Sequence, residues 1–183
     1  MNNFFEATDW LIRGFEVFVV LYLLIKFKDR RWSLFFGGKG DLKTIDDHEL
    51  HSCFLAAFTV MVFHFASSGF AQYIITMDME RMALRQFFYF SMFCFSIAFG
   101  LTLFALHLIR GCSFSPAARF CLYVTFLMMM LQMIQFIARG MLDTSVLSPF
   151  YKLSVVCLNL LTLCIVAKYP VKRLITLARK KGA

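Results

Sequence analysis

Glu6, Asp9, Arg13 and Glu16 follow one another at intervals of three, four and three residues, which places all four on one face of a helix. Arg13 is within reach of either Asp9 or Glu16 one turn away. The surrounding residues are apolar, and charge inside a bilayer is costly unless it meets a partner, water or another protein. The stripe is therefore expected to face protein or water rather than lipid.

A second polar series has the same rhythm. Gln132, Gln135 and Arg139 are three and four residues apart in an otherwise apolar stretch. Ser67, Ser68 and Gln72 form a third group, and Asn159 is a lone amide within a fifth apolar run. Placed on antiparallel spans, Arg13, Glu16, Gln72, Gln132, Gln135 and Arg139 fall in the same half of the membrane, with Asn159 near mid-depth. They are expected to form an intramembrane polar cluster in which Glu16 and Arg139 make the interhelical ion pair. Such a cluster joins helices, each contact contributing well under about 2 kcal/mol, or it lines a cavity, a conduction path or a partner groove.

Other chemistries fare poorly. His64 lies near the middle of the second apolar run and His107 near the far end of the third, so their depths differ by more than about 15 Å at 1.5 Å per residue. They cannot be opposed haem ligands. Met128, Met129, Met130 and Met133 are mostly consecutive and point around a helix, which suits packing rather than a copper site. His48 and His51 flank a loop without further ligands. Gly37-Gly38-Lys39-Gly40 is followed by Asp41 and lacks the spacing of a phosphate loop. No serine–histidine–acid, paired-carboxylate or zinc-protease pattern is present. Six cysteines show no CxxC spacing, so disulfides are not expected. The reading is non-enzymatic, with no cofactor and no metal.

The elements that carry these residues are apolar spans. Of 183 residues, 60% are hydrophobic and 16% charged, against roughly 45–50% and 25% in soluble domains. Five runs are expected to span a bilayer: about 10–27, 51–77, 86–109, 120–139 and 149–169. Each approaches the ~17–25 residues a span requires. The fifth begins at Ser148-Pro149, an N-cap followed by a first-turn proline. The first is the weakest, because Arg13 and Glu16 interrupt it. Its twelve Leu, Ile, Val and Phe residues, at about −0.3 to −0.6 kcal/mol each, roughly offset two charges at up to ~3 each. It inserts with a partner helix, or it lies at the interface and leaves four spans.

The fold class is thus an all-α membrane bundle in a single domain, and basic residues orient it. Lys26, Lys28, Arg30, Arg31, Lys39 and Lys43, then Arg110 and Arg119, then Lys168, Lys172, Arg173, Arg179, Lys180 and Lys181 all fall on one side. The other side receives Arg81, Arg85, Arg139 and Lys152. The positive-inside rule then sets the N-terminus outside and the C-terminus in the cytoplasm. The cytoplasmic pieces are a loop at 28–50, where Arg30, Arg31 and Trp32 suit the headgroup region, and a basic amphipathic tail at 170–183. Lys172, Arg173, Arg179, Lys180 and Lys181 of that tail suit anionic lipid. The net charge of +8 lies at span ends, which speaks for membrane orientation and against a nucleic-acid groove.

The expected function is that of a non-catalytic membrane subunit in a bacterial inner membrane. It assembles with itself or with another membrane or cytoplasmic protein, as an anchor or sensor in a defence, secretion or immunity complex. The alternative is an oligomeric ion channel or small-solute transporter. Spans without internal proline and with few glycines lack the broken helices common in transporters.

Overall fold

The computed structural model describes residues 2–26 and 42–181, with side chains over 5–25, 42–172 and 174–175. All the regular structure among the described residues is helical. Five helices run in chain order: α1 Asn2–Lys26, α2 Ile45–Ile75, α3 Arg81–Arg110, α4 Pro116–Gln135 and α5 Ser148–Lys181. The chain of α4 continues as a π-helical turn over Phe136–Met141. Four of these helices, α2 to α5, are long and apolar enough to cross a membrane. The most apolar 18-residue stretch of α1 exceeds the charge content of such a span, because Asp9, Arg13 and Glu16 fall within it.

Local chemistry sets the helix ends. Thr44 accepts the Asp47 amide at 3.1 Å while Asp47 accepts the Thr44 amide at 3.0 Å, a reciprocal cap that starts α2 with Asp46 and Asp47 at its positive end. The helix therefore begins at Ile45, six residues earlier than the apolar run alone suggests, and residues 45–50 belong to α2 rather than to a loop. Gly111 ends α3 in the left-handed region at φ 68°, a conformation glycine adopts without steric cost. Ser115 caps α4 through the Ala118 amide, with Pro116 in its first turn. α5 runs unbroken through Pro170 to Lys181, so the basic tail continues the fifth helix instead of forming a separate element. Arg30, Arg31 and Trp32 lie outside the described residues, as do the side chains of Arg173, Arg179, Lys180 and Lys181. Lys172 is exposed.

Here the upper end of the bundle is the one at which α1 begins and where the α2–α3 and α4–α5 connections lie. The apolar core occupies the lower half. Val20 and Leu23 of α1, Phe54, Ala56 and Ala57 of α2, Leu103 of α3, Ala118 and Cys121 of α4 and Val166 of α5 belong to it. Phe54, Ala56, Leu103 and Ala118 are fully buried. Ser52, Ala56, Ala57 and Ala118 add small buried side chains to this half.

Neither Gly69 nor Gly100 marks a close helix approach. A Cβ on Gly100 would meet only Leu122 Cδ2, at 4.0 Å, and one on Gly69 would meet nothing. The tight approach is at Gly140, where an added Cβ would lie 3.1 Å from Gln86 Cγ and 3.5 Å from its Cα. Gln86 also donates to the Gly140 carbonyl at 2.7 Å. Gly140→Leu is expected to cost about 1–3 kcal/mol by forcing α3 from the π turn, read as earlier thermal unfolding in detergent. Gly100→Ala should leave the unfolding temperature unchanged or raise it.

Candidate functional site: a charged cleft at the upper end

Above the apolar core the five helices enclose an open cleft of about 1020 Å³. α1 and α5 share the lower core through Val20, Leu23 and Val166. At the upper end the wall of the cleft is formed by Glu6, Asp9, Arg13 and Glu16 on α1 and by Tyr151, Lys152, Asn159 and Thr162 on α5. α2 adds His64, Ser67, Ser68 and Gln72, α3 adds Ser96 among phenylalanines, and α4 adds Thr125 and Gln132.

The charged stripe of α1 meets α2 at His64. The Nδ1 atom of His64 lies 3.0 Å from both carboxylate oxygens of Glu16, and Nε2 lies 2.9 Å from Asp9 Oδ1. Asp9 and Glu16 are two turns apart on α1, about 10 Å along the axis, and the imidazole spans the gap between their side chains. Both contacts are hydrogen bonds to ionised carboxylates only when the ring carries both protons. Asp9 also pairs with Arg13 at 2.6 Å and accepts from the Ser68 hydroxyl at 3.2 Å. The guanidinium lies 4.0 Å from the Trp10 ring centroid and 5.4 Å from that of Phe65, distances at which aromatic faces stabilise a cation. Arg13 is 8% exposed and Glu16 2%, whereas the Asp9 side chain is 30% exposed, so the tetrad of two acids and two bases is internally balanced with its Asp9 end open to the cleft mouth.

The structure brings together some of the residues that the sequence groups and separates others. Arg13, Glu16, Gln72, Gln132 and Asn159 line the same cleft. Gln132 accepts from the Tyr151 hydroxyl at 2.9 Å, which ties α4 to α5 near the upper rim of the cleft. Gln135 is buried but turned to the α4–α5 connection, donating to the Leu147 carbonyl at 3.0 Å. Arg139 is not the partner of Glu16, whose carboxylate meets His64: it does not line the cleft, and its charge lies near Tyr89 on α3. The π turn explains the divergence. Its wider turns add backbone per revolution, so residue 139 is rotated off the face shared by Gln132 and Gln135.

His64 is the residue that spacing alone did not assign. A signal existed, since His64 and Ser68 are one turn apart on α2 and face a stripe whose acids are two turns apart. The two acids approach opposite ring nitrogens, so they share no point at which a metal could sit. Among the described residues no group of three or more His, Cys, Asp or Glu side chains is placed to hold one.

A second polar cluster lies at the lower end. The Leu103 carbonyl is 2.8 Å from His107 Nδ1 and places a proton there. Nε2 then accepts from the Ser52 hydroxyl at 2.8 Å. Ser52 Oγ accepts the Ser115 amide at 2.8 Å, and His107 stacks on Phe114 with ring centroids 4.0 Å apart. Ser52 is fully buried and His107 is 2% exposed. The buried serine–histidine pair ties helices together through this network. It joins α2, α3 and the start of α4. Arg110 donates to His51 Nε2 at 3.1 Å beside it.

No protein-family model, curated protein or solved structure matches this chain.

Proposed function

We propose that the protein is a non-enzymatic, multi-pass membrane protein that binds a small solute in the upper cleft and acts as a transporter or channel component. One observation carries this reading: ionised side chains line an open cavity at a depth where the flanking helices are apolar. Intramembrane ionisable residues that face a cavity commonly mark substrate or ion routes. The cavity is as large as the upper range of small-molecule sites, roughly 300–1,000 Å³. In this reading α1 is the fifth span, inserted against α2 by the tetrad, with the N-terminus outside and the basic ends in the cytoplasm of a bacterium.

Cysteine labelling in a background without native cysteines tests both parts. A cysteine at Ser96, on the cleft wall, is expected to react with a membrane-impermeant maleimide from the same side as cysteines at Ala7 and Thr144. A cysteine at Lys43 should react only after permeabilisation. Labelling of Ala7 and Lys43 from the same side would remove α1 from the membrane, and an unreactive cysteine at Ser96 would remove the open cleft.

The assembly-subunit reading stands second, and the cover of α5 favours it. Only 6% of the most apolar stretch of α5 is buried by the rest of the chain, against 39% for α2. A second copy or a partner helix would cover it. The basic end of α5 would bind anionic lipid or a cytoplasmic partner. The stoichiometry of protein purified from native membranes in mild detergent decides between a lone chain and a complex.

A further inference from the structure

The upper cleft has a charge count that depends on one proton. Glu6, Asp9 and Glu16 line it with three negative charges, and Arg13 and Lys152 with two positive charges. His64 completes the balance. Its two ring nitrogens each face a carboxylate, so the cleft is neutral with the imidazolium and carries one net negative charge with the neutral ring. All charged groups on the cleft wall come from α1, α2 and α5; the α3 and α4 walls contribute phenylalanine, methionine, serine, threonine and Gln132. No other titratable side chain on those two walls can take up the difference.

The rest of the lining says what would restore neutrality. Trp10, Phe63, Phe65, Phe88, Phe95 and Phe99 face the cavity. Aromatic faces accept cations, and their apolar surface accepts the organic body around one. A small hydrated inorganic ion would leave most of this volume and apolar surface unused.

We propose that the cleft exchanges one proton for one monovalent lipophilic cation, with the proton carried by His64. This inference rests on the solute-binding reading above. When the cation enters beside Asp9 and Glu16, an N–H bond of His64 breaks and the proton passes to water in the cleft. The carboxylate facing the deprotonated nitrogen loses its hydrogen bond and faces the cation, while the other keeps the remaining N–H. The cleft is neutral before and after. In a low-dielectric site this is the occupancy with the smallest electrostatic cost.

The test uses the full chain in detergent, with tetraphenylphosphonium as the probe and tetraphenylborate as its anionic counterpart of equal shape. Equilibrium dialysis across pH 5 to 9 is expected to show tetraphenylphosphonium binding that tightens by up to tenfold per pH unit while His64 holds its proton. In weak buffer one proton should appear per cation bound in that range. His64→Gln fixes the cleft at one negative charge and should bind the cation with little pH dependence and no proton release. His64→Lys fixes it neutral and should weaken binding at least tenfold at high pH. Binding of tetraphenylborate in preference would overturn the proposal, as would native binding with no pH dependence or a pH slope that survives in His64→Gln. If neither ion binds while the Ser96 cysteine labels, this inference fails and the open cleft stands. If that cysteine does not label, both fall.

Discussion

Glu16→Leu is expected to destabilise the protein by about 3–5 kcal/mol, the usual loss when one member of a buried ionic pair is removed. Glu16 is 2% exposed and faces His64 Nδ1 through both carboxylate oxygens. Its removal leaves the ring bonded to Asp9 alone and the tetrad with an excess positive charge. Glu16→Leu with His64→Leu removes that uncompensated charge and should recover part of the loss, with a coupling of about 0.5–3 kcal/mol. Glu16→Leu with Arg139→Leu should instead be additive to within about 0.3–0.5 kcal/mol, since Glu16 meets His64 and Arg139 does not line the cleft. Unfolding of the five variants, the three single and two double substitutions, and of the native protein in bicelles, followed by tryptophan fluorescence, measures all three quantities. Coupling at the 16/139 pair and additivity at 16/64 would reverse the assignment.

Ser52→Ala is expected to have the second large effect, from the opposite end of the bundle. The hydroxyl serves His107 Nε2 and the Ser115 amide together, both buried, and each group left without a partner costs about 1–3 kcal/mol. The loss should appear as earlier unfolding and as loosening where α2, α3 and α4 meet, read by faster alkylation of Cys121, which is 1% exposed. Ser113→Ala, at an exposed position nearby whose interhelical bond to His48 uses the backbone amide, should stay within about 0.5 kcal/mol of the native protein. Equal unfolding temperatures for Ser52→Ala and Ser113→Ala would show that the Ser52 network contributes nothing to stability.

These two clusters also show what was legible in the residues alone. The helices were, because apolar length and charge spacing are properties of single segments: four runs long enough to span become α2 to α5, and the three-four-three spacing of α1 becomes one charged face. Helix starts were legible only where capping chemistry was read. The Thr44–Asp47 cap was not among those read, and it draws residues 45–50 out of the expected loop and into α2. The gathering of Arg13, Glu16, Gln72, Gln132 and Asn159 around one cleft follows from shared height along antiparallel helices, which residue order fixes in advance.

Which groups touch is a different matter, since it depends on how each helix is rotated about its axis and how closely neighbours approach. Depth paired Glu16 with Arg139; the π turn over Phe136–Met141 rotates Arg139 toward α3, and the α1–α2 contact gives Glu16 to His64. Ser52, His107 and Ser115 are separated by 55 and 63 residues, and no local pattern connects them. By itself the sequence determined the helices, their apolar faces and the height of each polar residue along its helix, because those depend on the order of neighbours along the chain. The tertiary structure alone decided the partners and the cleft, because hydrogen bonds and cavities depend on distances of a few ångströms between segments that sequence spacing does not encode.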